Sequence, residues 1–311
     1  MILTQTLFLI FILALGGCLS SSNHHEPQDV LKASGVKKAS PNPKIQPPFF
    51  LEGGSFSITK DGTIYFVDLR DKSIVRKAKL SDPENVTIFI NLNEWLKVEN
   101  SKTLQIDDIW TDHLGRLIVA ESTTGKILRI SEDARKLENL ADSYDGYRFT
   151  RIKGLVGNEK NQIFIGTPNA ATIYEFDPKI GKLEILNEDL VRPNDISMNH
   201  RGDRLLVAES APNRVIVFEL SQQGYIDSSW DLIHLPSFDD EPISIDILKN
   251  RPNLLAVIIR NKRKLLFFNL SKDRMIRKID LPALCTQVRS HQEWLYLQTE
   301  KGIIRIQNPF S

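Results

Sequence analysis

Two stretches, 115-GRLIVAESTTGKILRI-130 and 203-DRLLVAESAPNRVIVFEL-220, decide how the chain is to be read. Each runs from a polar turn into a five-residue apolar strand, then a short polar turn, then an alternating strand. Both carry the tetrapeptide Val-Ala-Glu-Ser, at Val119–Ser122 and at Val207–Ser210. Short apolar runs rich in β-branched residues and bounded by Gly, Asn, Asp and Pro indicate strands, because a helix would spread its apolar residues at three- and four-residue spacing. The pattern also opens at Asp61 (DGTIYFVDLRDKSIVRKAKL) and Asn161 (NQIFIGTPNAATIYEFD), and in weaker form at Asn253 (NLLAVIIRNKRKLLFFNL) and Glu293 (EWLYLQTEKGIIRIQN).

These six units recur with a period of about 45 residues, the signature of four-stranded blades that cannot bury their faces alone and must close into a ring. The fold class expected is therefore all-β: a six-bladed β-propeller over residues 49–311, with the blades themselves filling 49–308. Pro48–Leu51 is a candidate strand to complete the last blade. Only 91-NLNEWLKVE-99 reads as a short helix, and it falls in an inter-blade loop.

Residues 1–17, MILTQTLFLIFILALGG, carry an apolar run from Leu7 to Leu15 that is short for a bilayer span and suits the hydrophobic core of a signal peptide. Leu15-Gly16-Gly17-Cys18 resembles a bacterial lipobox, although no Lys or Arg precedes the run. The resemblance implies export, lipidation at Cys18 and a membrane-anchored place in the cell envelope. Residues 18–48 are rich in Ser, Pro, Lys and Asn without apolar periodicity and read as a disordered linker. The second cysteine, Cys285, sits in an apolar setting and reads as a core residue, and with Cys18 taken up by the lipid no disulfide is expected.

A formal net charge of +1 over 311 residues gives no basic field for nucleic acid, and a monomer is expected. The sequence has no His/Cys cluster at zinc spacing, no phosphate-cradling glycine loop and no nucleophile elbow.

In a propeller the innermost strands start around a central channel, and the side chains there converge from different blades. Counting back from each turn puts the channel-mouth position at Glu52, Asp107, Lys153, Asn194 and Ile243. Taken on their own, Glu52 reads equally as an exposed acid before a Gly-Gly turn, and Asn194 as an Asx-turn residue after Pro193.

Glu52-Gly53 followed by DGTIYFVD, and Arg192-Pro193-Asn194 followed by the fourth-unit strand, resemble the senescence marker protein/gluconolactonase (regucalcin-like) propellers over nearly all of residues 49–308. The resemblance implies a divalent metal, calcium or zinc, held by Glu52, Asn194 and a later aspartate. It further implies a lactone or ester whose carbonyl the ion polarises, and a substrate-contacting role for Asp107. Oxygen donors suit a hard divalent ion, and such an ion stabilises the oxyanion of ester hydrolysis. The third ligand falls at Ile243, which cannot ligate. Asp246, Asp240 and Asp239 are candidate replacements, with Asp246, Asp240 and Asp107 the candidate catalytic acids. Lys153 brings a cation to the same mouth, as a substrate contact or a partner for Glu52. Two functions stand side by side: a metal-dependent lactone or ester hydrolase, and a non-catalytic propeller, resembling NHL-type interaction propellers, that holds a protein or glycan at the envelope.

Overall fold

The computed structural model describes residues 49–98, 102–235, 237 and 240–311. The proposed signal peptide, Cys18, the linker and Asp239 lie outside the described residues. Among the described residues no helix is long and apolar enough to cross a membrane.

Six antiparallel four-stranded sheets follow one another along the chain. The first blade uses Gly53–Ile58, Thr63–Asp68, Ile74–Lys79 and Asp82–Asn91. The second begins at Ile106–Thr111, the third at Leu155–Gly157, the fourth at Pro193–Met198 and the fifth at Pro242–Ile247. The sixth takes Cys285–His291, Trp294–Thr299 and Gly302–Gln307, and borrows its outermost strand, Phe50–Leu51, from the other end of the folded segment. Phe50 pairs with Ile304 and Leu51 with Ile303. The innermost strands of neighbouring blades abut in order round the ring, and the sixth meets the first. The propeller is closed. A short 3-10 turn, Leu92–Glu94, stands in the loop between the first two blades, where the sequence indicated a helix.

Why the second strand of each unit reads as an unbroken apolar run follows from the layering. Every residue of Leu117–Glu121 and of Leu254–Ile259 is buried, because a blade has a neighbour on both faces. Strand alternation then splits each run between two cores. Leu117 and Val119 pack toward the first blade, whereas Ile118 and Ala120 pack toward the third. Six such cores result, one between each pair of neighbouring blades. Outer strands lose this cover, and Asp82–Asn91 is largely open to solvent over its first seven residues.

The repeated Val-Ala-Glu-Ser has a physical role. Its glutamates, Glu121 and Glu209, are fully buried. Glu121 accepts hydrogen bonds from the amides of Gln105 (3.0 Å) and Thr123 (2.7 Å). Glu209 accepts from the Val191 amide and from Arg214 Nε (2.6 Å). In both blades the carboxylate ties the end of the second strand to the chain leading into the inner strand. A buried carboxylate satisfied by amides and a guanidinium costs little compared with an unpaired one.

Candidate functional site

The six inner strands share one register. In four of them a bulge near the first pair leaves one residue without a partner, among them Asp107 between Ile106 and Asp108, Asn194 between Pro193 and Asp195, and Ile243 between Pro242 and Ser244. Lys153 holds this place in the third blade and Thr286 in the sixth. Bulges re-aim side chains and often stand beside sites.

The first blade departs from the sequence count. Gly53 pairs with Asp68 and Phe56 with Phe66, so the residue equivalent to Asp107 and Asn194 is Gly54. Glu52 lies two positions upstream, before the strand begins. Gly54 brings no side chain to the mouth. At Gly53 a Cβ would meet the Phe66 ring at 2.5 Å, so only glycine lets the strand lie this close.

Asp107, Lys153, Asn194 and Ile243 line one cleft of about 390 Å³, together with Asp108, Asp195 and Arg289. Glu52 is outside that lining. It borders a smaller depression with Phe66, Asp68 and Arg76, and its carboxylate accepts from Arg70 Nε at 3.1 Å. Asn194 donates to Ser210 Oγ, and its carbonyl oxygen accepts from Arg260 Nη2 at 3.4 Å. Asp240 is paired with Lys262. Asp246 is buried, accepts from the Ser290 amide at 2.7 Å, and lines a second cleft further along the same inner strands.

The next residue in each inner strand forms the floor of the first cleft, and the sequence reading overlooked most of this layer. Ser55 donates to Asp108 Oδ1 (2.5 Å), and Asp108 Oδ2 accepts from the Gly154 amide (2.9 Å). Ser244 donates to Asp195 Oδ2 (2.7 Å) and accepts from the Val288 amide (3.1 Å). Gln287 exchanges two hydrogen bonds with the backbone of Phe56. These bonds run blade to blade around the channel. A periodic column of small or polar residues inside otherwise apolar strands was the signal that marked them.

Arg289 closes the channel at its waist and lines both clefts. Its Nη1 and Nη2 reach Asp195 at 3.1 and 3.3 Å, and Nη1 also donates to the carbonyl of Ile245. Burial pulls the guanidinium pKa down, but Asp195, Asp246 and Asp108 outweigh it and hold it above its ordinary value. Burial raises Asp108, against the fields of Lys153 and Arg289. It likewise raises Asp246 against Arg289, and lowers the ammonium of Lys249, which donates to the Ile58 carbonyl at 3.1 Å.

The donors implied for a divalent ion do not fit one here. Glu52 and Asn194 each take a hydrogen bond from an arginine, the third position is Ile243, and Asp246 and Asp240 are engaged elsewhere. Among the described residues no three His, Cys, Asp or Glu are grouped to hold a metal.

Residues 52–293 match the family described as SMP-30/Gluconolactonase/LRE-like region. A search of curated proteins found no match. Among solved structures the chain is similar to a gluconolactonase from Xanthomonas campestris, with 14% identity and a TM-score of 0.67 over 88% of this chain and 99% of the other. It is similar to a luciferin-regenerating enzyme, with 14% identity and a TM-score of 0.62 over 83% and 92%. It is also similar to a chain of a nidogen/laminin complex, with 14% identity and a TM-score of 0.57 over 73% and 79%. At such identities the likeness is one of fold.

Proposed function

Because the chain belongs to the SMP-30/gluconolactonase/LRE-like family, we propose that it is a gluconolactonase-like propeller that binds a small molecule in the cleft around Asn194 without a divalent cation. The observation that carries this reading is the hydrogen bond from Arg260 to the Asn194 carbonyl oxygen, with Ile243 beside it in the lining. A guanidinium at that oxygen supplies the positive charge a metal would, and repels one. The test is metal analysis of the purified chain, followed by small-molecule binding with and without EDTA. Stoichiometric calcium or zinc, or binding abolished by the chelator, would overturn it.

Hydrolysis of a lactone or ester is the second reading. It is favoured by Asp107, Lys153 and Asn194 lining one cleft. Asp107 would accept a proton from the attacking water, and Lys153 would steady the oxyanion. Turnover of lactones that falls in Asp107→Asn and Lys153→Gln, unaltered by EDTA, would establish this metal-free version. Turnover that requires added calcium or zinc would restore the metal-dependent one.

A protein or glycan partner held at the envelope remains the reading to adopt if small molecules do not bind. We propose in addition that Cys18 carries the lipid that keeps the chain there. Palmitate labelling that persists in Cys18→Ala would contradict that anchor.

A further inference from the structure

The acids and bases around the first cleft are treated differently by the fold. All four carboxylates of the lining are engaged internally. Asp68 is held by Arg76 and by backbone amides, and Asp107 accepts from the Ile152 amide at 3.0 Å. Asp108 and Asp195 belong to the blade-to-blade bonds of the floor. Two of the five lining bases are likewise paired: Arg260 with Glu241, and Arg289 with Asp195. The side chains of the other three, Lys72, Arg151 and Lys153, make no hydrogen bond and no ion pair among the described residues.

Five bases against four carboxylates leave the lining one positive charge in excess, and it is offered to whatever enters by the three bases that no ion pair occupies. Lys153 is half-buried, so its charge is poorly screened. Arg151 is exposed, and its backbone is held in place. Its backbone sits at φ 53, and the next amide is held by Asp107. Holding a non-glycine residue there costs free energy, and the surrounding bonds must enforce it. The Arg151 backbone is thus held at the rim, two residues before Lys153 in the chain. A fork and a point charge at one cleft suit a carboxylate, which accepts two donors on each oxygen. A more highly charged anion would meet the nearby carboxylates of Asp107 and Asp108. The cleft volume of about 390 Å³ is that of a small-molecule site.

We infer that the ligand of this cleft is a small organic acid, bound as its monocarboxylate by Lys153 and Arg151, with Lys72 adding to the field. This rests on the proposed small-molecule site and names the class of compound it takes.

The experiment uses the purified chain and three probes: glycolate, its neutral methyl ester, and inorganic phosphate. Binding is followed by ligand-observed NMR and calorimetry at low and high salt. Glycolate should bind at least about tenfold more tightly than the ester, since one charge-assisted hydrogen bond is worth about that factor. The preference should fall with salt, and should drop to near unity in the double variant Lys153→Gln/Arg151→Gln, whose melting curve reports that it is folded. Lys60→Gln, an exposed turn substitution, should leave it unchanged. If the ester binds as well as glycolate, or the double variant keeps the preference, the carboxylate assignment is overturned while the cleft stands as a binding site. Tighter binding of phosphate than of glycolate overturns the assignment in the same way. If none of the probes binds, both the assignment and the small-molecule reading of the cleft fall.

Discussion

The guanidinium of Arg289 grips the carboxylate of Asp195 across 94 residues of sequence, through Nη1 at 3.1 Å and Nη2 at 3.3 Å. The pair joins the sixth blade to the fourth over the intervening fifth, and both partners are largely shielded from water. Removing one partner of such a pair leaves a buried charge with nothing to answer it. Arg289→Gln should therefore cost about 3–5 kcal/mol of stability, read as a lower urea midpoint. The double variant Arg289→Gln/Asp195→Asn should recover part of that loss. An Arg289→Gln protein as stable as the parent would show that the waist of the channel contributes nothing to stability.

Closure of the ring gives a second prediction. Gly302 adopts φ 147, and a Cβ there would meet the Leu51 carbonyl oxygen at 2.3 Å. Gly302→Ala must push the borrowed strand away or strain the hairpin, at a cost of about 1–3 kcal/mol. Chymotrypsin should then cut at Phe49 or Phe50 much faster than in the parent. Unaltered cutting would mean that the strand tolerates the displacement.

A third concerns pH. Burial pushes the Glu175 carboxyl up to about 6, the Gln162 hydrogen bond opposes this, and Asp177 and Glu184 add to it. The folded state then binds more protons than the unfolded state between about 4.5 and about 6, so stability falls as pH rises through that window. The group is partly open to solvent, so the effect is discounted to about 1 kcal/mol. Glu175→Gln should flatten the profile and leave the protein more stable at pH 7.5. A profile that rises across the window in the parent and is unchanged in the variant would refute the assignment.

The last separates the two accounts of Glu52. Its partner Arg70 is highly exposed, so Glu52→Ala should shift stability by less than about 1 kcal/mol. Binding in the cleft should stay within about twofold of the parent, and EDTA should leave the melting temperature unchanged. Loss of binding in Glu52→Ala would bring that carboxylate back into the site.

The blades were legible because their signal is local. Unbroken burial in Leu117–Glu121 follows from a strand covered on both faces, and the period matched the number of units. The borrowed strand at Phe50–Leu51 was also readable, since a ring of antiparallel blades leaves one edge to fill. The site was legible only in part. Asp107, Lys153, Asn194 and Ile243 share a cleft because the count back from each turn gave the right register. At Glu52 the assignment failed: the spacing that separates Asp107 from Gly115 and Asn194 from Gly202 leads back from Gly62 to Gly54, and the acid two residues earlier stands before the strand. Arg289 was invisible for another reason. Its partners Asp195, Asp246 and Asp108 come from three other blades, and no spacing along the chain records that convergence.

The pairing of Phe50 and Leu51 with Ile304 and Ile303 also orders events in time. During synthesis those two residues are made before any of the blades, and their mates emerge only with the final hairpin. Five blades can stack while the circle is still a crescent, its two raw flanks exposed to any sticky neighbour. Folding is thus committed late, by a clasp that needs both extremities at once. Premature termination before Gly302 would leave the whole assembly open, however well the earlier blades had formed.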